Sequence, residues 1–205
     1  MPLNREQILA AAVALADREG LEVVSMRRLG RELGVQAMSL YNHVPSKDAI
    51  LDGMIERVLA EIELPEGEWE VALRRCALSA HEALRRHPWA CSLVMVPAVG
   101  PAAMASRMRY IEAMLRTLRE AGFTPAQASY AYHALDSHTL GFTMWALGHT
   151  VPDNSSIADE ARQMIAAGDY PYLVEHAQEH ERESDPTDFE FGLDLIFDGL
   201  RRMPS

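Results

Sequence analysis

Between Ser25 and Lys47 the chain concentrates residue types that can grip a nucleic-acid duplex. Met26, Arg27 and Arg28 open one short helical pattern, Arg31 lies within it, and Lys47 closes the segment, all against the single acid Glu32. A local excess of positive charge is what phosphate contact requires, and it carries no base information by itself. Base reading would fall to Gln36, Ala37, Met38, Ser39 and Asn42. Gln and Asn side chains can pair bidentately with adenine, while Ala and Met can pack on thymine methyls.

These side chains need elements to aim them. Leu29 and Leu33, four residues apart, give a first helix an apolar underside, and Gly34 supplies a turn that tolerates positive φ. In a second helix, Leu40 and Val44 face inward while Ala37, Met38, Tyr41 and Asn42 face outward. A helix–glycine–helix pattern alone also describes an ordinary helical hairpin. The ending is more specific: Leu40-Tyr41-x-His43-Val44-x-x-Lys47, then Ala-Ile-Leu.

One other constellation could do chemistry. His176, Glu179 and His180 fit H-x-x-E-H, a zinc-hydrolase pattern with two histidines one helical turn apart. Their neighbours Glu175, Glu181, Arg182, Glu183 and Asp185 read equally as a solvated charged face, and so short a motif recurs by chance. His81-Glu82 fails as H-E-x-x-H because Arg85 stands where the second histidine belongs. With no Ser/His/Asp signature and no phosphate-cradling glycine loop, the sequence points to no enzyme, no catalytic residue and no cofactor.

The segment from Arg5 to Glu61 resembles the DNA-binding head of the tetracycline-repressor (TetR) family of one-component transcriptional regulators. The string at Tyr41, His43 and Lys47 carries that likeness. In the family, residues matching Tyr41 and His43 touch the DNA backbone through hydroxyl and imidazole. The likeness extends into the core through Gly122-Phe-Thr-Pro-Ala-Gln-Ala-Ser-Tyr-Ala-Tyr, His138-Thr-Leu-Gly141 and Phe191-Gly-Leu-Asp-Leu-Ile-Phe-Asp-Gly-Leu200. The resemblance implies a homodimeric regulator, most often a repressor, that binds a palindromic double-stranded operator and is released by a small-molecule effector. Tetracycline repressors carry glutamine and proline where this chain has Ala37 and Met38, and tryptophan where it has Asn42, so a different operator is expected. They grip a drug–magnesium chelate through histidine and glutamate. Met95 or Val96, and Trp145, stand near those places and offer a hard cation no oxygen. The expected effector is therefore a more apolar, aromatic molecule and not a tetracycline–magnesium complex.

The 205 residues allow a small head on a larger core, drawn here as residues 1–62 and 63–205. Alanine, leucine, arginine, glutamate and methionine abound, which favours an all-α chain with a three-helix head. The net charge of −11 argues at first against nucleic acid, but its distribution is uneven. Residues 1–57 hold seven Lys/Arg against eight Asp/Glu, and the remainder holds twelve against twenty-two, so the acidity sits outside the head. Cys76 and Cys91 form no CxxC pair, no apolar run nears the ~20 residues that span a bilayer, and Met1 to Glu6 has no signal-peptide core, which together predict a cytoplasmic protein without a membrane partner.

Helices are expected over Asn4–Arg18, with Asn4 and Gln7 as a capping box, over Ser46 to the residue before Pro65, and over Trp69–Arg86. Others are expected from Pro88 to before Pro97, from Pro101 with a Met104–Met108–Ile111–Leu115–Leu118 stripe, from Thr124 to Gly148, near Ile157–Ala167, and over Asp188–Arg202. Interleaved methionines and aromatics suggest a ligand lined by Cys76, Ala80, Met95, Met104, Met108, His133, Ser137, Met144 and Trp145, each of which taken singly also reads as core. Phe189, Leu193, Ile196, Phe197 and Leu200 form a stripe too apolar for a free helix face. The resemblance implies that this helix and the small-residue face at Ala134 and Gly141 pair with their copies in a four-helix bundle. The alternative is burial within the monomer.

Overall fold

The computed structural model describes residues 3–94, 100–149, 160, 163–165, 167–180 and 186–203, with the side chains of 149, 177–180, 186 and 187 left undescribed. Ten helices and no strand occur among the described residues. They are α1 (Arg5–Glu19), α2 (Met26–Glu32), α3 (Ala37–Leu40), α4 (Lys47–Ala60), α5 (Trp69–Arg86), α6 (Ala90–Val94), α7 (Pro101–Glu120), α8 (Pro125–His149), α9 (Pro171–His180) and α10 (Pro186–Arg201). A turn of 3-10 helix, Leu21–Val23, joins α1 to α2. The segment expected to be helical near Ile157–Ala167 falls largely outside the described residues.

Capping chemistry sets the head's boundaries. Asn4 accepts from the Gln7 backbone at 2.9 Å, and the Gln7 side chain accepts from Asn4 N–H at 3.1 Å, completing the box that starts α1. Ser25 and Ser46 cap α2 and α4 in the same way. Gly34 has φ +67, the left-handed conformation that lets α2 end and α3 begin with four residues between them. Ile8, Ala12, Leu15, Leu29, Leu40 and Val44 are fully or almost fully buried, and Leu33 is only half-buried.

The head does not close on itself. Its apolar cluster continues into Leu84, Trp89, Ala90, Cys91 and Ala103 of the larger half. Two polar joints reinforce the seam. Gly100, at the N-cap of α7, has no side chain to offer, and Asp52 of α4 supplies the cap. Its Oδ1 accepts from Ala103 N–H at 2.8 Å and its Oδ2 from Ala102 N–H at 3.2 Å. At the other end of α4, His87 is buried with Nδ1 2.7 Å from Asp17 of α1 and Nε2 3.2 Å from Glu61. Trp89 Nε1 donates to the same Asp17 oxygen at 2.6 Å.

In the core, α8 packs against α5, α7 and α10. The α7 stripe expected through Met108 is rotated: Met108 is 61% exposed, and the buried face is Ala103, Ser106, Tyr110, Ala113, Met114, Thr117 and Leu118. Small residues on that face let α7 approach its neighbours closely, which a count of bulky side chains overlooks. The α10 stripe is corrected as well. Phe189, Leu193, Phe197 and Leu200 are buried inside the single chain, so they are core and not an intersubunit surface, while Ile196 is half-buried. The ring of Phe189 stacks with His81 at 4.1 Å and with His138 at 4.9 Å, and meets Phe142 edge-on. A side chain at Gly192 would collide with the His138 ring, so glycine permits this close approach of α10 to α8.

Candidate functional sites

The recognition edge forms because α3 is a single turn. The chain folds back on itself here, with Ser39 N–H donating to Gln36 O and His43 N–H and Val44 N–H both donating to Leu40 O, all at 2.9 Å. Leu40 and Val44 anchor the turn from beneath. Gln36, Met38, Tyr41, Asn42, His43 and Lys47 are left exposed on one side, Met38 at 72%. Ala37 and Ser39 are half-buried, and Met26 packs against the head's core rather than standing clear.

The arginines of α2 divide. Arg27 is exposed and makes no ion pair among the described residues. Arg28 is engaged: it reaches Glu19 at 2.7 Å and Glu32 at 3.3 Å, and Arg18 meets the same two acids. The Arg28 guanidinium holds the Glu19 carboxyl below the usual carboxylate range. Arg28 therefore braces α1 against α2, and Arg27 and Lys47 are the unpaired charges of the predicted phosphate set.

Behind α4 lies a cavity of about 60 Å³, partly open to solvent. Ile55, Leu59 and Ile62 form its head-side wall, with Ala80 and Leu84 of α5, Leu93 and Val94 of α6, Ala103, Met104, Arg107 and Tyr110 of α7, and Tyr132, Asp136, Thr139 and Leu140 of α8 around the rest. Most of the wall is apolar, as small-molecule sites are. Of the residues expected to line a ligand site, Ala80 and Met104 do so. The others are corrected. Cys76 is core behind the wall, and burial pushes its thiol up to about 12. Met108, His133, Ser137 and Met144 face outward, because the residues of α7 and α8 that reach the cavity occupy other turns of the helix surface. Trp145 is half-buried against Phe142 and does not line the cavity. Met95 lies outside the described residues.

The residues that were missed are the polar ones. Asp136 accepts from Tyr132 Oη at 3.4 Å, Arg107 donates to Val94 O at 2.5 Å, and Tyr110 lines the wall beside them. Burial pushes the Asp136 carboxyl up, against the opposing pull of Arg107 and the two phenols. The signal was present as Arg107/Tyr110 and Tyr132/Asp136, polar and aromatic pairs three and four apart on one helix face. A second histidine, half-buried, serves packing. His81 Nδ1 lies 2.7 Å from Thr143 Oγ1, whose proton is committed to Thr139 O, so the imidazole is the donor. Burial lowers the His81 pKa to about 4.

The H-x-x-E-H motif falls at the end of α9, where the side chains of Glu179 and His180 are outside the described residues. No group of three metal-ligating side chains occurs among the described residues. No described helix is long and apolar enough to cross a membrane.

Comparison with known proteins accounts for both halves. Residues 8–54 match the signature of bacterial regulatory proteins of the tetR family, and residues 63–203 match the tetracyclin repressor-like C-terminal domain. The HTH-type transcriptional repressor DrrR1 of Streptomyces coeruleorubidus is 33% identical over 97% of this chain and 77% of its own length. A possible TetR family transcriptional regulator from Streptomyces coelicolor A3(2) superposes with a TM-score of 0.77 at 30% identity, covering 97% of this chain and 98% of the other. ActR of Streptomyces coelicolor, solved with actinorhodin bound, superposes with a TM-score of 0.73 at 28% identity over 98% of this chain and 97% of its own.

Proposed function

This chain belongs to the tetR family of bacterial regulatory proteins, and from that premise we propose that it is a cytoplasmic, non-enzymatic transcriptional repressor that binds a palindromic operator as a homodimer and leaves it when a small molecule enters the core. Residues 1–62 act as the DNA-reading half and 63–205 as the sensing and dimerising half. Arg27 and Lys47 hold phosphates, Tyr41 and His43 add backbone contacts, and Gln36, Met38 and Asn42 meet base edges in the major groove.

One observation carries the ligand response: α4 follows directly on the recognition edge, starts with Lys47 of that edge, and forms a wall of the cavity. Asp52 and Glu61, near its two ends, tie it to the core, and Ile55 and Leu59 lie between them. A molecule pressing on those side chains shifts the helix against its ties and changes the spacing of two heads. A hundredfold difference in effector affinity between the two arrangements corresponds to about 2.7 kcal/mol, within the usual range of allosteric coupling.

The dimer surface follows from what the core leaves open. On α8, Ala134, Ser137 and Gly141 are exposed small residues beside Met144, and on α10 Phe191 and Leu195 are 64% and 61% exposed. Small residues permit close helix approach, and the two large side chains supply apolar area to bury. The test is selection of duplexes from a random pool by the full chain, followed by titration of the selected fragment with Tyr41→Ala. A two-fold-symmetric selected sequence and at least tenfold weaker binding by the variant are expected. Failure to enrich any duplex, from protein that stays monomeric, removes the reading.

A further inference from the structure

The cavity's lining carries two formal charges, Arg107 and Asp136, and they are held apart. No direct ion pair within 4.0 Å joins them. The phenol of Tyr132 donates to Asp136 at 3.4 Å, and Tyr110 of α7 lines the same wall. Arg107 gives one N–H to Val94 O, so guanidinium donors remain. The carboxylate, with one phenol donor, still has accepting lone pairs. The cavity thus presents a donor and an acceptor on one edge and apolar wall elsewhere.

That pattern selects by charge. An anionic head group would pair with Arg107 but face Asp136, and a cationic one would pair with Asp136 but face Arg107. In a site this apolar, a like charge left facing its partner is costly. An uncharged group that accepts from Arg107 and donates to Asp136 satisfies both.

We propose that the effector is an uncharged, mainly apolar molecule whose single polar edge sets a hydrogen-bond acceptor beside a donor, as a carboxamide or hydroxy-ketone does, and that Arg107 and Asp136 read that edge. The assignment rests on the cavity being the effector site. Three fluorescent probes on one ring system test it: pyrene-1-carboxamide, pyrene-1-carboxylate and pyrene-1-methylammonium, titrated into the full-length protein. The carboxamide binds at least tenfold tighter than either charged probe. Asp136→Asn removes the repulsion and improves carboxylate binding at least tenfold, and Arg107→Met does the same for the ammonium probe. Each readout is a gain confined to one probe, whereas a misfolded variant that exposes apolar surface would bind all three pyrenes more tightly. If all three probes bind alike and still displace the selected duplex, the effector reading stands and the polar-edge assignment fails. Preference for a charged probe in the unaltered protein, or no change of preference in either variant, also overturns it. Absence of binding by all three removes this assignment and the effector reading together.

Discussion

Head and core place their polar side chains in opposite ways. In the head, Gln36, Tyr41, Asn42, His43 and Lys47 stand in solvent on either side of a one-turn helix, backed by Leu40 and Val44. In the core, Asp136, His81 and Thr143 are turned inward and bonded to one another's neighbours. A surface that reads a large, hydrated partner can stay wet until it binds. A cavity that takes a small molecule must hold its polar groups ready in low dielectric, with each one already bonded. Substitutions of the outward-facing head residues should therefore change binding without changing stability, and those of packed core side chains should change stability.

The sharpest break is at Phe189. Its truncation to alanine empties the space between His81, His138 and Phe142 and is expected to cost about 3–5 kcal/mol, read from urea or guanidinium unfolding. Met38→Ala, at a site 72% exposed, is expected to fall within about 0.5 kcal/mol of the parent in the same assay. Next in size is the seam. Asp52→Ala leaves the Ala102 and Ala103 N–H groups without their cap and should lower stability by about 1–2 kcal/mol. It should also raise hydrogen exchange at those two amides.

Within the head, the two neighbouring arginines sharpen the comparison. Arg27→Ala should leave unfolding unchanged and reduce the salt dependence of duplex binding by about one phosphate contact. Arg28→Ala should lower the melting temperature of the head, because it removes the brace to Glu19 and Glu32. The core also carries a pH dependence. The folded His81 pKa lies near 4, below its ordinary value of 6.5, so the unfolded chain takes up the proton first on acidification. His81 thus leaves stability untouched above pH 6.5 and subtracts from it progressively between 6.5 and about 4. In His81→Gln, denaturation midpoints measured across that window should fall less steeply.

What could be read beforehand follows the same division. The Leu29–Gly34–Leu40 hairpin and its outward residues depend on contacts a few positions apart, and periodicity exposes them. The cavity draws on α4 through α8, and no local pattern tells Tyr110, which reaches it, from Met108, which does not. On α10, the strongest apolar stripe was assigned to a second subunit. A strong stripe requires only a partner, and α8 and α5 of the same chain provide one. The weaker face, Phe191 and Leu195, is the one left uncovered. The role of Asp52 has no sequence signal, because its partners, two backbone N–H groups fifty residues on, leave no mark there.

The corner where His87 and Trp89 meet Asp17 has a practical consequence for engineering. A reading head transplanted onto a foreign sensor would arrive with Asp17 and Glu61 missing their imidazole and indole, and with the flank that normally lies on Leu84 and Ala90 open to water. A chimera would need to carry the whole stretch through α6, or graft those four side chains onto the recipient, before its two parts could behave as one rigid lever.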